Sequence, residues 1–114
     1  MSTAYKICER ALWDDWQRAG MLQGAPVDLR DGFIHLSTAA QVRETAALYF
    51  AGMTDLMLVA IDSNEVADKL KWERSRGGDL FPHHYGPLPL TAVIWAKPLA
   101  LDAEHRHVFP ESLA

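Results

Sequence analysis

The run Leu56-Met57-Leu58-Val59-Ala60-Ile61 constrains this chain more than any other stretch. An unbroken series of apolar residues with no polar alternation reads as a strand buried on both faces. Such a strand needs a packed layer on each side, so it is the expected central strand of a sheet covered by helices. It is far too short to cross a bilayer, which takes about 20 residues. A chain of 114 residues can bury one core around it. No repeat or low-complexity tract divides the chain, and residues 1–114 are expected to form one domain.

The remaining elements follow from periodicity and punctuation. Ala4 to Cys8 is a short, mostly apolar strand candidate. Leu12, Trp16 and Ala19 then recur at helical spacing over Glu9 to Ala19, with Gly20 suited to the position just past a helix end. Gly24, Pro26 and Asp31-Gly32 predict an irregular connection. Phe33 to Leu36 reads as a short strand leading into Thr38-x-x-Gln41, a capping-box spacing that starts a helix near Ala39. That helix carries Val42, Ala46 and Tyr49 on its apolar face and stops near Gly52. Asp62 to Leu70 reads as a short helix or turn, and Lys71 to Ser75 as a half-exposed strand. Gly77-Gly78 with Pro82, Pro87 and Pro89 predict an extended loop containing Phe81-Pro82-His83-His84-Tyr85-Gly86. Thr91 to Ala96 is a further strand, with an edge strand near Leu99 to Leu101. Strands and helices that alternate early, with strands dominating late, predict an α+β domain, a mixed β-sheet with two main helices packed on it.

Charge excludes one broad class of function. Eleven Lys and Arg against 15 Asp and Glu give a net charge of −4, so no positive field gathers a polyphosphate, and general nucleic-acid binding is not expected. A lone cysteine, Cys8, makes no internal disulfide, and the start MSTAYKICERALW has no signal-peptide pattern, so a cytoplasmic location is expected. No membrane association is expected.

Three clusters carry side chains suited to chemistry. In Asp31-Gly-Phe-Ile-His35-Leu-Ser37-Thr38, a histidine sits at a strand end and two hydroxyls at a helix start, where free amides favour an anion and His35 can donate to a sugar hydroxyl. Capping by Ser37 and Thr38 around an interior histidine explains the same residues without a ligand. In Phe81 to Leu88, His83, His84 and Tyr85 lie in a stiffened loop able to stack on a heteroaromatic ligand, or simply to pack as a structural loop. Alternation in an extended segment turns one of the paired histidines inward, and His84 is the expected one. In Trp72-Glu73-Arg74, a carboxylate beside a tryptophan could stabilise developing positive charge, although a surface ion pair fits equally. Five histidines, including His105-x-His107, invite a metal, but with no HExxH, CxxC or compact carboxylate run, no metal site is assigned.

Taken together, DGFIHLST, LMLVAID, LKWE, FPHHYGPL and TAVIWAKPL closely resemble, in order and over nearly the whole chain, the small bacterial family called domain of unknown function 952. That family is similar to the ADP-ribosyltransferase fold, including its RNA 2′-phosphotransferase branch. The resemblance implies an ADP-ribosyltransferase-like architecture in which His35 contacts an NAD ribose, Tyr85 or the neighbouring imidazoles line the nicotinamide side, and Glu73 takes the carboxylate role. Glu73 precedes Tyr85, whereas the familiar order ends on glutamate, and this leaves a non-catalytic binding version open.

The expected catalytic residues are therefore His35, Glu73 and Tyr85. The expected ligand-binding residues are His35, Ser37, Thr38, Trp72, His83, His84 and Tyr85, with NAD or ADP-ribose implied as substrate or ligand. The expected function is ADP-ribosyl transfer or nucleotide processing. The alternatives are a catalytically silent module for a nucleotide, sugar or anion, and an interaction protein with an aromatic surface.

Overall fold

The computed structural model describes residues 2–111 and 113. Its central element is the apolar run, as β4 (Leu56–Asp62), flanked by β1 (Thr3–Glu9) and β8 (Val93–Leu99) in the order β1-β4-β8. Both ladders are antiparallel, running from Thr3↔Asp62 to Glu9↔Leu56 on one side, and on the other from Leu56↔Leu99 with a bulge at Ala60/Ile61. Because strand side chains alternate, Met57, Val59 and Ile61 pack on one face with Trp16 and Leu22. Leu56, Leu58 and Ala60 pack on the other with Val42 and Ala46. Each fully buried aliphatic side chain here contributes about 1.5–3 kcal/mol.

The helix α1 (Arg10–Ala19) covers the first face through Trp16 and ends where Gly20, at φ +80°, donates its N–H to the Trp16 carbonyl. The second face is covered by α3 (Ala39–Tyr49), whose start is closed by the Thr38 N–H donating 3.0 Å to Gln41 Oε1. These two helices and the turn at Ala67–Lys69 stand where the sequence placed them.

The rest departs from expectation in three ways. In place of one mixed sheet there are three antiparallel ones, because among the described strands after β4 only β8 returns to pair with it. β2 (Met21–Leu22) pairs with β7 (Leu88–Pro89), and β3 (Ile34–His35), β6 (Leu80–His84) and β5 (Leu70–Arg74) form the order β3-β6-β5. The connection before Asp31 contains a short helix, α2 (Pro26–Asp31), which Pro26 starts and the Asp28 carboxylate closes by accepting the Ala25 N–H at 2.8 Å. The expected proline loop at 81–84 is β6. Pro82 is tolerated because its carbonyl accepts from Leu36 N–H on the β3 side, so its nitrogen faces the same way, where the β3 ladder is ending. Paired Tyr5 and Ser37 backbones, at 2.7 and 2.9 Å, join this small sheet to β1.

Candidate functional site

A lysine in the middle of an otherwise apolar strand must find a counter-charge, and Lys6 on β1 finds Asp28 of α2. Lys6 Nζ donates to both Asp28 oxygens at 2.8 and 3.1 Å and to the His35 carbonyl at 3.2 Å. The carboxylate also accepts from His35 N–H (3.1 Å) and His35 Nδ1 (2.7 Å). Burial alone would raise the Asp28 carboxyl, but the His35 hydrogen bond and the Lys6 charge outweigh it and hold the group well below the usual carboxylate range. Close packing supports this arrangement, since a Cβ at Gly24 would lie 2.8 Å from Asp28 Cβ. His35 Nε2 lies 3.0 Å from Asp31 Oδ2 at the end of α2. With a carboxylate at each nitrogen, only the doubly protonated ring donates to both.

A second pair stands across the sheet. Glu73 on β5 faces Phe81 in register, and its Oε1 accepts from His83 Nδ1 at 2.8 Å and from Tyr85 Oη at 2.7 Å. The Tyr85 hydrogen bond, then that of His83, holds the Glu73 carboxyl below its ordinary value, while the same contact with Glu73 raises the Tyr85 phenol. An ionised carboxylate only accepts, so it fixes the proton of a neutral His83 on Nδ1 and leaves the lone pair on Nε2. Phe33 binds the two pairs together. Its ring stacks on His83 at 4.0 Å and contacts His35 at 4.6 Å and Tyr85 at 5.5 Å, and the two imidazole centroids are 5.7 Å apart.

Both imidazoles border a cavity of about 310 Å³ whose other walls include Tyr5, Ser37, Thr45, Tyr49 and Phe81. The His35 side chain is 34% exposed and that of His83 only 6%, which sets His35 toward the mouth and His83 into the wall. Ser37 lines this cavity with its Oγ 2.9 Å from Thr45 Oγ1, whereas Thr38 serves at the start of α3. The inward histidine is His83 and not His84. β6 turns His84 to the opposite side, where its Nδ1 donates 2.9 Å to the Gly86 carbonyl, and burial pushes its imidazole below the ordinary value. Trp72, 48% exposed and paired with Pro82, points away from Glu73 along β5 and stands outside the cavity wall. Glu73 and Tyr85 lie behind His83.

Asp28, Lys6, Asp31 and Phe33 are central here; Asp31 and Phe33 lie within the segment singled out around His35 without a role of their own, and Asp28 and Lys6 lie outside every cluster read from the sequence. The available signal was Lys6, a cation in a strand otherwise built to be buried. His105 and His107 stand outside this cavity, and His107 Nε2 donates to the Met53 carbonyl. Among the described residues no group of three His, Cys, Asp or Glu is placed to hold a metal, and no helix is long and apolar enough to cross a membrane.

Fold and site together define a small α+β domain with two carboxylate-backed imidazoles at one cavity. The chain belongs to the family described as protein of unknown function (DUF952), whose model matches residues 7–96. It is similar to protein CC0527 from Caulobacter crescentus, whose crystal structure shares 44% identity over 98% of each chain with a TM-score of 0.93. The solution structure of CC0527 is 46% identical over 93% of this chain and 91% of that one, with a TM-score of 0.83. No curated protein matches the chain.

Proposed function

We propose that the cavity takes a nucleoside-sized ligand and that His83 and His35 perform acid–base chemistry on it. The observation that carries this reading is the pair of imidazoles, each held by a carboxylate at 2.7–2.8 Å and only 5.7 Å apart by centroid. His83, held at Nδ1 by Glu73, leaves its Nε2 free for a general-base role, and His35 Nε2 is the position that meets ligand oxygen. A ligand hydroxyl takes the place of Asp31 at His35 Nε2, since Asp31 is the more exposed of the two carboxylates on that ring.

ADP-ribosyl transfer is the form of this chemistry that the family resemblance implies. A cavity of about 310 Å³ lies at the lower end of small-ligand sites, which suits the nicotinamide riboside end of NAD with the remainder outside. In that reaction the glycosidic electron pair leaves with neutral nicotinamide, and an attacking water or acceptor hydroxyl passes its proton to His83. Glu73 acts through His83 as a positioning residue, and Tyr85 acts through Glu73. The engagement of Glu73 behind His83 also favours the second reading, a binding module without turnover, because it leaves that carboxylate no direct contact with an oxocarbenium centre.

Incubation with NAD and measurement of released nicotinamide separates the two. Turnover that falls about 10²–10⁴-fold in His83→Ala supports the enzyme. NAD or ADP-ribose binding without release assigns the module, and an unchanged rate in His83→Ala removes that residue from catalysis.

A further inference from the structure

We propose that a second cavity, on the far side of α3, is a binding site for a small organic anion: one carboxylate or phosphate group on a compact aromatic body. The two cavities use opposite faces of the same helix. Thr45 and Tyr49 border the first, while Arg43 and Ala47 border the second, as the helical repeat requires. The second cavity measures about 380 Å³ and is closed by the segment 105–109, which contributes His105, Arg106, His107 and Phe109. Two guanidiniums and two imidazoles thus meet over an apolar floor of alanine methyls and a phenyl ring. Among the described residues no carboxylate lines it. In a chain of net charge −4, this concentration of donors is local.

The backbone that carries these donors is held in place. Asp102 Oδ1 accepts the N–H groups of Glu104 and Arg106, both at 2.9 Å, and the Asp102 N–H donates to the Arg106 carbonyl at 2.8 Å. His105 adopts a left-handed φ of +61° inside this staple, and His107 is anchored on the Met53 carbonyl. Arg43 holds its guanidinium carbon over the Phe109 ring at 5.3 Å, a cation–π contact that uses none of its N–H donors as hydrogen bonds to oxygen. Arg106 has Asp102 at 3.8 Å and Glu104 at 4.0 Å, loose contacts on a side chain 75% exposed, which an incoming anion displaces at little cost. Guanidiniums grip carboxylate and phosphate through paired N–H donors, and the alanine and phenylalanine surface receives the apolar remainder.

The test is titration of the isotope-labelled chain with benzoate and phenyl phosphate, followed by two-dimensional NMR, with benzyl alcohol and inorganic phosphate as controls. The expected result is saturable binding of at least one aryl anion, with shifts concentrated at 43–51 and 105–109. Affinity should fall at least tenfold in both Arg43→Gln and Arg106→Gln, which sit on the surface and should keep the wild-type unfolding midpoint. His83→Ala should bind the anion unchanged. The arm that binds tells carboxylate from phosphate. Failure of both aryl anions, equal binding of benzyl alcohol, unchanged affinity in the two arginine variants, or shifts centred on His35 and His83 would each overturn the proposal.

Discussion

Replacing Asp28 with asparagine probes the electrostatic support of the site most severely. The wild-type carboxylate accepts five hydrogen bonds, from Lys6 twice, from His35 twice and from Ala25, with its side chain 1% exposed. Asparagine has one oxygen, and wherever its NH₂ points it meets a donor. Lys6, itself 5% exposed, is then a buried ammonium without a counter-charge. Removing one partner of a buried pair costs about 3–5 kcal/mol. At about 4 °C per kcal/mol for a domain near this size, Asp28→Asn should lower the melting midpoint by roughly 12–20 °C. Lys6→Met should cost less, because Asp28 keeps its His35 and Ala25 donors, and the double variant should cost less than the sum. The sign of the pH effect follows from the lowered Asp28 value. Its stabilisation is fully present above the unfolded-state value near 3.9 and is lost as pH falls through the folded one. Urea unfolding should therefore show wild-type stability declining below about pH 5 and a shallower decline in Asp28→Asn. A cost under about 1 kcal/mol, or strict additivity with Lys6→Met, would refute the electrostatic account.

Tyr85→Phe removes the leading cause of the depressed Glu73 carboxyl, so that group should titrate higher in an NMR pH series while the fold is retained. Trp16 is buried and its indole N–H has no acceptor among the described residues, so its contribution is one of volume, and Trp16→Ala should cost about 3–5 kcal/mol by chemical denaturation. Cys8 is buried, and burial pushes its thiol up to about 11. A maleimide at pH 8 should leave the native protein unlabelled and modify it fully after unfolding.

The parts of the fold legible in the sequence are those carried by longer patterned segments. β4 declares itself through an unbroken apolar run and α1 and α3 through helical spacing, and Gly20 and the Thr38-Gln41 pair mark helix ends that the structure retains. The six-residue α2 and the two-residue strands β2, β3 and β7 are too short for periodicity to register. Pro82 argued against a strand at 80–84, and only the position of β3 beside it resolves that conflict. The site divides in the same way. His35 and Ser37 were readable from a strand end meeting a helix start. The pairing of Asp28 with Lys6 spans 22 residues, and that of Glu73 with His83 depends on strand register, so neither has a local signature. The preference for His84 failed because the phase of β6 is set by its pairing with β5, which local composition does not encode.

The most direct test of the central claim is thermal unfolding of the wild type, His35→Ala and His83→Ala with NAD, ADP-ribose and nicotinamide. A ligand at about a hundred times its dissociation constant adds about 2.7 kcal/mol, a rise of roughly 10 °C here. The account predicts such a rise for NAD or ADP-ribose in the wild type and its loss in both variants. No rise with any of the three, or an equal rise in the variants, would contradict it.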